Sequence, residues 1–542
     1  MKTWKSFYLL ALAATLAFTG CKKDDEDEGA SQTGKLTVGQ TEYTLGAAED
    51  RTAAVTFSAT ADWTAAVVYD DVESADWLTV TPASGTAGEQ SVELSATRNY
   101  RTSDRTAYVD LACGDQQVRL TVSQAAASGE TDFTALFDPD FAKKLQEMGH
   151  ISDAENITSA DMEKIAAITE LDVSGTYENR GTLTSLQGIE YFESLTELYC
   201  LSNQLTSLDV SANTALTKLY CQNNQLTSLD VSGCTALTYL NCGSNQLTSL
   251  DVSANTALTK LYCQNNQLTS LDVSGCTALT YLNCGSNQLT SLDVSANTAL
   301  TYLNCGSNQL TSLDVSANTA LTTLWCYYNQ LTSLDVSANT ALTELECDDN
   351  QLTSLDVSAN TALTYLDCAS NQLTTLDVSG CTALTELSCY SNQLTSLDVS
   401  ANTALTALNC YDNQLTTLDV SGCTALMGLY CYSNQLESLD VSGCTALTEL
   451  SCSSNSLTSL DMSGCTALTA VVCYSNQLTS LDVSANTALT ELYCENNPGD
   501  GESKFPVTAW FDDNSIPDAL YVDQSSWSYG GKTITIEFQK AE

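Results

Sequence analysis

Cysteine and aspartate recur in this chain at a fixed interval, and no other pattern in it is as well placed to do chemistry. Fifteen cysteines stand at steps of 21 residues from Cys200 to Cys494, and fourteen aspartates at the same steps from Asp209 to Asp482. Three states are open to the thiol column. Metal binding needs ligands that converge in tetrahedral geometry, which a linear ladder does not supply. Disulfides between successive coils have a feasible Cα separation, but parallel Cβ vectors make the bond torsion awkward. Buried free thiols acting as small hydrophobes are the expected state. In the aspartate column, like charges ~5 Å apart are expected to raise one another's pKa unless hydroxyls or cations intervene. Calcium along that ladder stays open. The Gly-Gly-x-Gly-x-Asp signature of calcium-binding β-rolls is absent, however, and no cofactor is expected.

The remaining candidates for catalysis are few. A single histidine, His150, makes a catalytic triad or a histidine-based metal site hard to build. Paired carboxylates such as Glu344 and Glu346 could do acid-base work, but they fall on an open face, with nothing to separate their pKa values. The chain therefore reads as a non-enzyme. With 66 acidic against 19 basic residues and a net charge of -47, it repels phosphate backbones, which excludes nucleic acid as a partner.

The elements that hold these columns follow from the repeat. From Leu195 to Pro498 the chain runs through fourteen full units and one half unit, LTxLxCxxNQ followed by LTSLDVS(A/G)(N/C)TA. A 21-residue period predicts a solenoid. Leu219, Cys221, Leu229 and Val231 alternate with polar positions, so they point inward and stack on their equivalents in the next coil. Asn224 and its equivalents, from Asn203 to Asn497, sit where an amide can satisfy backbone groups left unpaired by the turn. Each half fits LxxLxLxxN, as in Leu216, Leu219, Cys221 and Asn224. The array resembles the leucine-rich repeat superfamily, in its bacterial 21-residue class. That resemblance implies an exposed strand face on which partners bind.

The repeats differ from one another mainly at four outward positions of the first half. One unit has Lys218, Tyr220, Gln222 and Asn223; another has Thr323, Trp325, Tyr327 and Tyr328. Tyr, Ser, Asn and Asp with an occasional Trp make a paratope-like composition, because rigid rings give contact area while small polar groups adapt. The candidate hot spot is Tyr281, Tyr302, Trp325, Tyr327 and Tyr328. Beside it lies an acidic patch of Glu344, Glu346, Asp348, Asp349 and Asp367. A second aromatic run follows at Tyr390, Tyr411, Tyr430, Tyr432 and Tyr474. The competing reading is that repeat copying filled exposed strand positions with tolerated residues.

Residues 1–20 carry Lys2 and Lys5, then an apolar run too short to span a bilayer, and fit an export signal. Leu16 to Cys21 resembles a bacterial lipobox, which implies lipid on Cys21 and attachment to a membrane by that anchor only. Residues 21–34 form an acidic linker. Its KKDDEDE run resembles the signal that sends Bacteroidetes lipoproteins to the outer face of the outer membrane, so the expected location is the cell exterior.

Residues 35–126 alternate Val, Thr and Leu with polar residues between turn signals, which predicts a small β-sandwich. Asp76 to Gly85, Asn99, Arg105 and the closing Val122-Ser123-Gln124 resemble the BACON domain, a family proposed to bind carbohydrate or mucin. Trp63 and Trp77 could stack on sugar rings or form core. Residues 127–194 carry two helix signals, Asp140 to Glu147 and Asp161 to Ala167, and resemble an internalin-like N-terminal cap with a first irregular repeat. Residues 195–497 are the array. Residues 498–542 suggest a small β-rich cap with a hairpin at Tyr529-Gly530-Gly531-Lys532.

The expected fold is mainly β: a leucine-rich repeat solenoid of about 14 coils of 21 residues, preceded by a small β-sandwich and a helical cap. The expected function is a lipid-anchored surface binding protein, adhesin-like, holding a host or microbial surface protein. The alternative is a glycan- or mucin-capture accessory. A structural coat protein comes third.

Overall fold

A computed structural model describes residues 34–47, 51–69, 77–127, 132–176 and 178–541. The export signal, Cys21, nearly all of the acidic linker and Asp76 lie outside the described residues. The chain divides into two compact units at residues 128 and 129.

The first unit is a pair of sheets. One orders Leu36–Val38, Thr52–Ala59, Gly88–Ala96 and Leu78–Thr81; the other orders Glu42–Leu45, Gln116–Gln124, Arg105–Cys113, Trp63–Val68 and Ser84–Gly85. Alternation along each strand sends Val55, Phe57, Leu94, Val109, Leu111, Leu120 and Val122 into one shared core. Trp63 and Trp77 belong to that core, at 2% and 3% exposure, so neither offers a platform for a sugar ring. Phe57 meets Trp63 edge-on at 4.8 Å, and the Arg105 guanidinium covers Trp77 at 4.6 Å.

The polar residues of the BACON resemblance are structural. Buried Asn99 donates to the Ser103 and Ala125 carbonyls, and buried Gln124 donates to Gly46 and Thr97 while accepting from Arg105 Nε. Buried polar groups persist only when satisfied in this way.

The second unit begins with two helices. Asp138 caps Pro139–Glu147 by accepting from the N–H groups of Asp140 and Phe141, and Thr158 forms a capping box with Asp161 at the start of Ser159–Ala166. Phe141, Leu145, Met162 and Ile165 are fully buried beneath them. A 17-stranded parallel sheet then starts at Glu170–Asp172, adds a three-residue strand per coil from Glu197–Tyr199 to Glu491–Tyr493, and ends at Tyr521–Val522. Register never slips: Leu219 pairs with Leu198 before it and Leu240 after it.

Inside the coils, Leu219, Cys221, Leu226 and Val231 are fully buried, with Leu229 close to it. Asn224 Nδ2 donates to the carbonyls of Cys200 at 3.0 Å and Cys221 at 3.1 Å, while its Oδ1 accepts the Leu205 N–H at 3.0 Å. In the other half, Asn255 Nδ2 donates to Val231 and Cys234, both at 2.9 Å, but its Oδ1 has no protein partner. That difference explains the Asn/Cys interchange. A site that uses only a donor accepts a thiol, and Cys276 Sγ points at the equivalent carbonyls of Val252 and Asn255.

The far end is closed by Lys504–Ala509, Ser526–Tyr529 and Lys532–Lys540. The last two form a hairpin through Gly530 and Gly531, both at positive φ as a two-residue turn demands. Trp527 Nε1 donates to the Asn497 carbonyl at 2.8 Å, which caps the asparagine ladder. No helix among the described residues is long and apolar enough to cross a membrane.

Candidate recognition face

Each three-residue strand has an inward leucine, or Val471 in one coil, flanked by two outward residues, so the sheet displays two columns of variable side chains. Two more columns follow the buried cysteine. Rings in the first two columns touch from coil to coil. Tyr199, Tyr220, Tyr239, Tyr262, Tyr281 and Tyr302 follow one another at centroid separations of 4.6, 4.5, 5.4, 4.5 and 4.0 Å, and Trp325 closes the run edge-on at 5.2 Å. Of the sequence candidates, Tyr281, Tyr302 and Trp325 thus form one contiguous surface. Tyr199, Tyr220, Tyr239 and Tyr262 extend it, and were missed because they switch between the two outward positions from coil to coil.

Tyr327 and Tyr328 stand in the other two columns and meet each other at 5.9 Å. Tyr327 lies over Gly306, where an added Cβ would sit 2.6 Å from its ring. Tyr328 is 58% exposed at φ 48°, a left-handed backbone that is unfavourable for a bulky residue. The whole column shares this conformation: Asn223, Ser244, Asp349 and Asp412 all have φ between 50° and 59°. Its Ser, Asn and Asp content therefore reflects turn geometry, at least in part, and not adaptability to a partner alone.

The second aromatic run is shorter. Tyr390, Tyr411 and Tyr432 stack at 4.4 and 4.3 Å. Tyr430 stands apart from these rings, its hydroxyl donating to Glu449.

Between the two runs the face turns acidic. Trp325 pairs with Glu346, Glu346 with Asp367, and Glu344 with Tyr365 on successive strands. Burial and the neighbouring carboxylates push Asp348 up to about 7 and Glu346 to about 6; burial, with Asp349 adding to it, does the same to Asp367 at about 6. The expectation that the carboxylates here fall on an open face, with nothing to separate their pKa values, is corrected by this burial.

In the aspartate column the hydroxyls do intervene. Asp209 Oδ1 accepts the Ser211 N–H at 3.0 Å and its hydroxyl at 2.7 Å, and these bonds hold its carboxyl below the usual value despite repulsion from Asp230. The same turn recurs at Asp335 and Ser337. Stable, solvated carboxylates result, and the Asp-x-Ser spacing was the available signal.

The cysteines of both columns are buried and free. Burial raises Cys221, Cys263 and Cys305 well above the ordinary thiol value, so they stay protonated and un-nucleophilic at neutral pH. Among the described residues, no group of three or more His, Cys, Asp or Glu could hold a metal ion.

In-register stacking of short parallel strands over asparagine and cysteine ladders defines a leucine-rich repeat solenoid, and comparison with known proteins agrees. A viral BACON domain model matches residues 35–127, and a leucine-rich repeat model (2 copies) matches 214–255, 256–297 and 298–339. The functional domain of InlJ from Listeria monocytogenes, described as including a cysteine ladder, is 34% identical, with a TM-score of 0.58 over 76% of this chain and 98% of that one. A leucine-rich repeat protein of Leptospira interrogans is 27% identical over 63% of this chain and 93% of its own, with a TM-score of 0.56. The internalin InlF of Listeria monocytogenes is 25% identical, with a TM-score of 0.54 over 59% of this chain and 96% of its own. Comparison with curated protein sequences found no match. The chain belongs to the leucine-rich repeat proteins, with an internalin-like array preceded by a BACON domain. This fold suggests a protein-interaction or adhesin-like role, and arrays of its kind are typically not enzymes.

Proposed function

We propose that this protein is a lipid-anchored binding protein on the cell exterior, held to the outer membrane at Cys21, whose variable face recognises a protein partner. The observation that carries this reading is the unbroken row of rings from Tyr199 to Trp325 on an exposed sheet. Rigid aromatic surface of this kind gives binding energy at low entropic cost. A protein partner is favoured over a sugar because the tyrosine faces are spent on one another, leaving edges and hydroxyls to meet a ligand. Burial of Trp63 and Trp77 removes the obvious sugar platforms from the BACON domain.

The test is a capture experiment on the full chain, with and without Trp325→Ala, Tyr327→Ala and Tyr328→Ala. Mucin glycans and extracellular-matrix proteins are screened in calcium and in chelator. The reading expects a protein held by the parent and at least ~10-fold more weakly by the variant, equivalent to about 1.4 kcal/mol. Capture that survives these truncations would move the site off this face.

A further inference from the structure

The acidic interval is cut off from every cation of its own array. No Lys, Arg or His occurs between residues 261 and 503. Lys260 lies four coils before Glu344, which at ~4.8 Å per coil is about 19 Å, beyond the ~8 Å Debye length at physiological salt. Yet Glu344, Glu346, Asp348, Asp349 and Asp367 occupy two consecutive coils on the outward side of an unpartnered sheet face, and Trp325, on the coil before them, pairs in register with Glu346. An aromatic ring beside several carboxylates is the chemistry that receives a guanidinium or ammonium group.

We propose that the sheet face formed by Trp325, Glu344, Glu346, Asp348, Asp349 and Asp367 docks a basic segment of the partner protein, with an Arg or Lys side chain against the indole and further cations on the carboxylates. This deepens the proposed function and rests on it. The other face supplies the contrast. It carries a column of fourteen aspartates, but each is already satisfied by the serine two residues on, as Asp335 is by Ser337.

The titratable groups that act on Asp348 are acids and tyrosines: Asp367, Asp349 and Glu346, then Tyr328, Tyr365 and Tyr390. None can neutralise it. Burial and mutual repulsion hold Asp348 at about 7 and Glu346 and Asp367 at about 6, so a docked cation takes up the charge that the fold leaves unbalanced. Docking then weakens as the pH falls through these values, because the cluster takes up protons instead.

The probe is a fluorescein-labelled peptide of alternating Arg and Ser, titrated into the full chain in ~0.15 M salt. One variant set is Glu346→Gln, Asp348→Asn and Asp367→Asn. The control set, Asp314→Asn, Asp335→Asn and Asp356→Asn, removes the same charge from the opposite face of nearby coils. The proposal expects at least ~10-fold weaker binding for the first set, under ~2-fold for the control, and at least ~5-fold weakening of the parent between pH 7.5 and 5.5. Equal losses in both sets would overturn it by reducing the effect to net charge; pH-independent binding by the unmodified parent would overturn it without any variant. A native partner that is lost on truncating Trp325, Tyr327 and Tyr328 but held by the neutralised cluster would sink this inference alone. A partner held by the aromatic variant would sink the recognition reading itself.

Discussion

Asp335 and Asp348 are thirteen residues apart, in successive repeat units, and experience opposite environments. Asp335 Oδ1 accepts the Ser337 N–H at 2.9 Å, so its charge is stabilised below the usual carboxylate value. Asp348 is half-buried among Asp367, Asp349 and Glu346, and its charge is disfavoured up to about pH 7. The constant half of the coil commits each polar residue to holding the backbone. The variable half places a single asparagine in that role and leaves its other polar groups incompletely matched. Stability and recognition are thereby separated within each coil, which lets one face diversify while the array still folds.

The sharpest way to break this comparison is to attack the two asparagine columns. Asn350 ends the variable half and makes four contacts: its Nδ2 donates to the carbonyls of Cys326, Cys347 and Asp348, and its Oδ1 accepts the Leu331 N–H. Asn350→Ala is expected to cost about 3 kcal/mol in urea denaturation, near 1 kcal/mol per buried hydrogen bond lost. Asn339, in the constant half, uses only its donor, to Val315 and Asn318. Asn339→Cys, a replacement the array already makes at Cys381, should cost under about 1 kcal/mol. Equal losses would show that the two columns are not specialised.

A smaller effect comes from the carboxylates. The raised pKa of Asp348 means that its charge opposes folding fully above about pH 7, and that this opposition fades as pH falls toward the ordinary carboxylate value. Asp348→Asn should therefore raise stability by about 1 kcal/mol at pH 8, after allowing for solvent screening, and change little at pH 5. Asp335 has a lowered pKa, so its contribution is present above the ordinary value and lost below it. Asp335→Asn should lower the denaturation midpoint slightly at both pH 8 and pH 5. A stabilising Asp335→Asn would contradict the account of that face.

Much of this molecule can be read from its repeats. The inward leucines and cysteines, the Asn224 ladder and the terminal hairpin follow from aligning one coil with the next. What could not be read depends on distance across coils or on backbone sign. Tyr199 to Tyr262 look scattered in sequence because alternate outward positions are used, and only the lateral register makes them one surface. The Ser, Asn and Asp residues after the cysteine looked like adaptable contact groups, whereas their positive φ gives them a turn role first. For the Asp209 column the sequence left repulsion, hydroxyls and cations open together, and only the geometry assigns the relief to the serine two residues on. Burial of Asp348 and Glu346 was invisible because it depends on neighbours in adjacent coils.

The central claim is that a partner meets the variable face and leaves the constant face bare, and every coil carries the control. Carboxyl groups of the full chain are labelled with a carbodiimide and an amine at pH 7.5, with and without a partner found by capture, and quantified by mass spectrometry. The account predicts protection of Glu344, Glu346, Asp348 and Asp367 with unchanged labelling of Asp314, Asp335 and Asp356. Protection of the second group with the first still labelled would contradict it.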